Sequence, residues 1–387
     1  MRLTSEKAPT VHLNGLAKKY LIQALSGLAL LSAAATVFFV QKYPYFIGGD
    51  MPYDFYVTLI NYHDFGFVKR GLLNSAFMTF GLDLTDKPTH IIVRSGLMIL
   101  LFGYGCFKIR QMSQLHGKSH PIEILFISIL LAFGPGGQMH FAKILIPHLA
   151  LFVLYFAALE YLFRSNKPSM LVLSLFSIIG ILQHEIWVFV SLPLLLVLLY
   201  DKTNSAKGPM AIAGASVITL LLCREFGNMS FSDEALFQKM TEHFPKMKTE
   251  YTINYSPHYF NTNIWTKNPK IEYGRLLERK FEIFIPLFCF AKLALAKHIL
   301  EQSNTKNKRL FLLALSAVFI CFLLGTDYGR WSAYFVINSV IVFLYCFSRT
   351  PFSIDRKLML FCLSFLLIFK PFYYNITYIF RPSQWLN

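Results

Sequence analysis

The side chains best able to do chemistry in this chain fall into four short clusters. The first holds Asp50, Asp54, Asp64, Lys69 and Arg70. Asp50 and Asp54 are four apart around Pro52, a residue suited to the first turn of a helix, so their carboxylates would face the same way. Such a pair binds a divalent cation, or one member takes a proton from a hydroxyl. Lys69 and Arg70 follow closely and would neutralise a phosphate, the arginine through paired hydrogen bonds. The second cluster is His184-Glu185, set between two apolar runs without the Gly, Asn, Ser or Pro of a solvated turn. A histidine and a carboxylate so placed share a proton or bind a metal.

The third cluster is His140 and Lys143, where an ionisable pair near an apolar segment marks a site unless the lysine reaches to the interface. His148 lies deeper and reads as a hydrogen-bonded packing residue. The fourth is Asp327 and Arg330, within the stretch from Gly325 to Trp331. These two would pair with each other, or Asp327 would orient Arg330 toward an anion.

Several chemistries are excluded. The chain has no G-x-x-x-x-G-K-[ST] and no dinucleotide fingerprint, and no second histidine completes a zinc motif after His184-Glu185. Gly134-Pro135-Gly136-Gly137 reads as a tight turn between helices. The six cysteines form no C-x-x-C pair and read as buried thiols.

What must position these clusters is a membrane. Of 387 residues, 55% are hydrophobic and only 15% charged, and the mean hydropathy is +0.47. A soluble domain carries about 25% charged residues, so this chain lacks the charge to cover a wetted surface. The net charge of +16 sits in short Lys and Arg groups between apolar runs. It makes no continuous basic stripe, which argues against nucleic acid as a partner. Apolar runs long enough to span a bilayer predict about eleven transmembrane helices, over 20–40, 89–107, 121–134, 142–163, 169–183, 185–200, 208–223, 280–297, 309–325, 331–347 and 357–375. The fold class expected is therefore all-α, one polytopic integral membrane domain over 1–387.

With the N-terminus cytoplasmic and the C-terminus outside, every inner connection is basic. The short outer turns at 135–141, 184–185 and 326–330 share one arginine, Arg330. This is the positive-inside pattern. Two outer segments are long. Residues 41–88 form a first loop with short interfacial helices, one from Pro52 to about Tyr62 and another over 67–80. Residues 224–279 form a larger loop rich in aromatics. All four clusters then lie at the outer boundary of the bilayer, on connections that could converge on one cavity. Their chemistry suits an anionic, phosphate-bearing substrate entering from lipid, with an acid or base acting on a hydroxyl.

The acidic motif Gly49-Asp50-Met51-Pro52-Tyr53-Asp54, just after the first helix, resembles the first-loop aspartate of C-type membrane glycosyltransferases. The helix count and the later outer loop are similar to that fold. The chain also resembles O-antigen and capsule repeat-unit polymerases, which share a large outer loop and outward-facing arginines. The first resemblance implies an enzyme of the bacterial inner membrane that uses a polyprenyl-phosphate-linked sugar at its outer face. It implies a catalytic or metal-binding role for Asp50 or Asp54. A divalent cation, Mg or Mn, is the cofactor that pair would hold, although the sequence demands none. His184 and Glu185 are the other catalytic candidates. Asp64, Lys69, Arg70, His140, Lys143, Asp327 and Arg330 are the candidates for binding substrate or its phosphate. The second resemblance implies a polymerase acting on a diphosphate-linked oligosaccharide. A secondary transporter of an anionic or lipid-linked substrate is the third reading.

Overall fold

The computed structural model describes residues 60–116 apart from 69 and 85, residues 146–227, 284–324 and 328–357, and the isolated positions 120, 122–124, 126, 238 and 359. Within them all regular structure is helical. Two short helices come first, α1 (Tyr62–Phe65) and α2 (Leu72–Thr79). They are followed by α3 (Lys87–His116), α4 (Ile146–Arg164), α5 (Met170–Gln183), α6 (Trp187–Val190), α7 (Leu192–Thr203) and α8 (Lys207–Phe226). After the aromatic-rich segment come α9 (Phe284–Gln302), α10 (Lys308–Ser316), α11 (Val318–Leu324) and α12 (Tyr328–Arg349).

Three of these helices are long and apolar enough to cross a membrane: Pro88–His116, Ile146–Arg164 and Lys207–Phe226. Met170–Gln183 and Tyr334–Arg349 are shorter apolar helices. Large apolar side chains point outward along them, including Ile92, Ile99 and Leu100 on α3, Leu171 on α5, and Met210 and Ile218 on α8. Exposed apolar surface on this scale is unfavourable in water and suits a lipid surround. Expected spans 20–40, 357–375 and most of 121–134 fall outside the described residues.

Polar contacts fix the relative directions of the helices. Glu160 near the end of α4 accepts hydrogen bonds from Tyr104 on α3 at 2.9 Å and from Arg164 at 2.5 Å, and pairs with Lys108 at 2.5 Å. Tyr104 also stacks on Phe156 at 5.0 Å, one turn before the Lys108–Glu160 pair on both helices, so α3 and α4 run parallel. Lys202, near the end of α7, donates to the carbonyls of Leu162, Phe163 and Ser165 at 2.6, 3.2 and 2.6 Å. Those carbonyls end α4 and have no helical partner of their own, so the ammonium both caps them and meets the negative end of the helix dipole. Asp201, beside it and almost fully buried, accepts from Asn307 at 3.2 Å, Tyr345 at 2.8 Å and Arg349 at 2.6 Å. The C-terminal ends of α3, α4, α7 and α12 thus share one end of the bundle with the N-terminal ends of α5, α8 and α10. Lys108, Arg164, Lys202, Lys308 and Arg349 gather there.

The opposite end is shaped by a break between α5 and α7. The expected single helix over 185–200 is instead α6 and α7. Pro193 in the first turn of α7 has no N–H to continue a helix from the preceding turn. His184 itself is extended, with φ −166° and ψ 125°. The chain doubles back so tightly that Trp187, fully buried, lies on Gly180, where an added Cβ would stand 2.3 Å from the indole Cδ2. Of the helix expected from Pro52 to about Tyr62, positions 52–59 lie outside the described residues, and a short helix, Tyr62–Phe65, follows. Two further expectations are corrected. The helix expected over 67–80 begins at Leu72, because Arg70 takes a left-handed backbone before it. Arg330, expected in a turn over 326–330, belongs to the first turn of α12, which starts at Tyr328.

Two substitutions test this account. Gly180→Ala will displace the Trp187 indole and cost roughly 1–3 kcal/mol as an overpacking change. It is read as a lower unfolding temperature in detergent together with altered tryptophan emission. Asp201→Ala leaves Arg349, Tyr345 and Asn307 without their acceptor and will cost about 3 kcal/mol, the low end for a broken buried pair because Arg349 is nearly half exposed. Loss of helical circular dichroism on heating measures it.

Candidate functional site

Two of the clusters meet at the end of the bundle opposite the basic residues. Arg70 donates through Nε to Glu185 Oε2 at 3.2 Å and through Nη2 to Oε1. This forked pairing joins residues 115 positions apart. The local sequence shows how Arg70 is delivered. Asn61 caps α1 by accepting from the Asp64 backbone N–H at 2.8 Å, and its amide donates to the Asp64 carboxylate at 2.6 Å. Gly66, at φ +68°, then ends α1. Gly71 lies flat against the Tyr62 ring, where a Cβ would be 2.6 Å from it, and Ser75 links the Tyr62 N–H to the Gly71 carbonyl, each at 2.6 Å. Between these glycines Arg70 has φ +65°. A non-glycine residue there costs about 1 kcal/mol, and such strain clusters at functional sites.

Glu185 is presented by the α5–α6 break. The His184 N–H still reaches the Gly180 carbonyl at 2.9 Å, and Trp187 N–H returns to the His184 carbonyl at 3.1 Å. Gln183 donates to the Pro147 carbonyl at 3.0 Å, which ties the break to the first turn of α4. Pro147 is about 25 Å along the helix axis from Arg164, so the break and the basic end are separated by nearly the thickness of a bilayer core.

Behind Glu185 stands a row of buried rings. His184 Nδ1 is 3.4 Å from Glu185 Oε2 and also accepts the Ile186 N–H at 3.3 Å. The His184 and His148 rings have centroids 4.8 Å apart. His148 Nδ1 in turn lies 3.0 Å from the Tyr334 hydroxyl. Tyr334 is aimed by its own helix. Asn338, one turn on, donates to the Val190 carbonyl at the end of α6 at 2.6 Å, and Phe152 packs on the Tyr334 ring at 4.4 Å. His148, His184 and Tyr334 are all buried, whereas the Arg70 and Glu185 side chains are 24% and 35% exposed. A partly buried ion pair therefore backs directly onto buried imidazoles.

Burial alone would raise the Glu185 carboxyl, but the Arg70 guanidinium outweighs it, with the His184 imidazole adding to the effect. Together they hold the group well below the usual carboxylate range. A carboxylate so stabilised is a poor proton acceptor. That leaves His184 as the other expected catalytic residue beside the ion pair.

Arg70, His184 and Glu185 come together. Asp64 is taken up in capping α1 with Asn61. Asp50, Asp54, Lys69, His140, Lys143 and Asp327 lie outside the described residues, and for Arg330 only the backbone is placed. Among the described residues no group of three or more His, Cys, Asp or Glu is arranged to hold a metal. His148 is buried and hydrogen-bonded, as its sequence position leads one to expect of a packing residue. Tyr334, its partner, is not among the expected residues, because one tyrosine in an aromatic-rich helix carries no signal. His90 and Arg94 on α3 are also buried. Because α3 runs parallel to α4, they lie toward the same end as His148.

No model of a known protein family matches this chain. No curated protein and no solved structure is significantly similar to it.

Removing Arg70 tests the electrostatics. In the wild type the pair's contribution is complete above the ordinary carboxylate value of about 4.3. It is lost only as pH falls through the lowered folded value. In Arg70→Ala burial acts unopposed by the guanidinium, so Glu185 will protonate at a higher pH than in the wild type. Infrared spectra will show a protonated-carboxyl band at mildly acidic pH in the variant, absent from wild type and from Arg70→Ala/Glu185→Gln.

Proposed function

We propose that this chain is a membrane glycosyltransferase of the extracytoplasmic face that takes a sugar from a polyprenyl-phosphate carrier. Its product would be a cell-surface polysaccharide or glycoconjugate. In this reading the chain crosses a bacterial inner membrane about eleven times, with the basic end cytoplasmic and the N-terminus inside. The observation that carries it is the Arg70–Glu185 clasp. It joins the first outer segment to the α5–α6 break, about 25 Å along the helices from the basic end. A site there faces the headgroup region, where a lipid-linked phosphate resides while its chain stays in the bilayer.

The chemistry asks for a base to deprotonate the acceptor hydroxyl and for cations to stabilise the departing phosphate. His184 supplies the first, with Asp50 or Asp54 as a second base or a ligand for Mg or Mn. Arg70 supplies the second, joined by Lys69 and Arg330. Phosphate and carboxylate compete for the same guanidinium fork, so Glu185 holds Arg70 until the departing phosphate takes it. The repeat-unit polymerase reading shares these cations and takes a whole oligosaccharide from a diphosphate carrier.

Deletion of the gene, with complementation by wild type and by Arg70→Ala, followed by gel profiling of surface glycans, tests the proposal. A transferase predicts an altered repeat that wild type restores and Arg70→Ala does not. Loss of chain-length laddering with an intact repeat indicates the polymerase. An unchanged profile on deletion counts against both.

A further inference from the structure

The His184 imidazole faces a choice that its geometry makes explicit. Its Nδ1 lies 3.3 Å from the Ile186 N–H and 3.4 Å from Glu185 Oε2. One ring nitrogen cannot accept from the first while donating to the second. In the neutral ring Nδ1 accepts and the proton sits on Nε2. In the imidazolium Nδ1 carries a proton, and the Glu185 oxygen is its acceptor. That oxygen is the one Arg70 Nε holds at 3.2 Å. A proton on His184 therefore competes for half of the Arg70 fork and places a second cation beside the guanidinium.

We propose that His184 is a proton-operated switch on the Arg70–Glu185 clasp, and that His148 and Tyr334 position it and share its proton. This deepens the transferase reading and rests on it for its chemical purpose. In that reaction the acceptor O–H bond breaks and its proton passes to His184. The new glycosidic C–O bond forms as the sugar–phosphate C–O bond breaks, and the phosphate keeps the electron pair. The proton arriving on His184 then loosens Arg70 from Glu185 as the phosphate gains charge. The cation is released to the leaving group when it is needed.

The row behind His184 fits this role. The titratable groups that face it among the described residues are Glu185 on its own break, Arg70 from the α1–α2 segment and His148 from α4. Tyr334 of α12 stands behind His148. With ring centroids 4.8 Å apart, two charged imidazoles would repel, so a proton on one ring opposes a proton on the other. The Tyr334 hydroxyl, either donor or acceptor to His148 Nδ1, adapts to whichever ring is charged.

The test uses the full chain in detergent micelles with 15N-labelled histidine and arginine, and needs no substrate. His184 and Arg70 Nε signals are assigned by His184→Gln and Arg70→Ala. The expected result is a two-step titration of His184, with Arg70 Nε moving at the first step. In His148→Gln the His184 titration collapses to one step. In His184→Gln the Arg70 signal keeps its ion-paired position throughout the same titration. Tyr334→Phe, a conservative change, will shift the first step and leave helix content unchanged, so it serves if His148→Gln fails to fold. Arg70 signals that ignore His184 protonation, or a His184 titration unchanged in both His148→Gln and Tyr334→Phe, would overturn the proposal. Normal glycans in the deletion strain alongside an intact titration coupling would overturn the transferase reading alone.

Discussion

Charge has nowhere to rest inside an apolar bundle except beside its opposite. An isolated ion in a low-dielectric interior is far too costly to keep, and a single partner removed leaves the other stranded. The acidic side chains Glu160, Asp201 and Glu185 each answer a cation, and each does so near a helix end. Asp201 and Lys202 gather α4, α7, α10 and α12 at one end. Arg70 and Glu185 fasten the α1–α2 segment at the other. The apolar core of Phe152, Tyr155, Trp187, Phe335 and Phe347 fills the space between. Its packing is non-directional, so these polar clasps decide which helix ends lie together.

The two ends differ in what their clasps leave open. At the basic end Asp201 is shut away and has three donors, so it is a structural pin. At the other end the Arg70–Glu185 pair is partly open to solvent and shares an oxygen with the edge of a buried imidazole. A fully satisfied buried network rigidifies its surroundings. A pair that is part exposed and contested by a third group has alternatives close in energy, and chemistry requires such alternatives. This difference, more than the identity of the residues, singles out one end as the candidate site.

The helices were legible in the sequence because long apolar runs mark them, whether their side chains pack inward or face outward. Expected 89–107, 142–163, 169–183 and 208–223 correspond to α3, α4, α5 and α8 within a few residues at most ends, though α3 runs on to His116. The His184-Glu185 break was legible as well, since polar residues in an apolar run without turn formers need another reason to be there. The pairing across 115 residues was not, because nothing in either segment names its partner. Arg70 and Glu185 each carried a functional reading, but for different anions and protons. The break at Ser191 was hidden because the run from Ile186 to Leu199 is apolar on both sides of that one small hydroxyl, and only Pro193 marks where a new helix starts. Tyr334 was invisible for the opposite reason: one tyrosine among many aromatics carries no spacing of its own.

The left-handed backbone at Arg70 has a consequence for how this position tolerates change. The main chain there favours glycine or asparagine, while the side chain must be a long, forked cation. One residue answers two opposed demands, and relaxing either alone is easy. A glycine would settle the backbone, yet it would erase the guanidinium and leave Glu185 stranded at the α5–α6 break. The strained conformation is therefore kept because no small side chain can reach from this segment to that carboxylate.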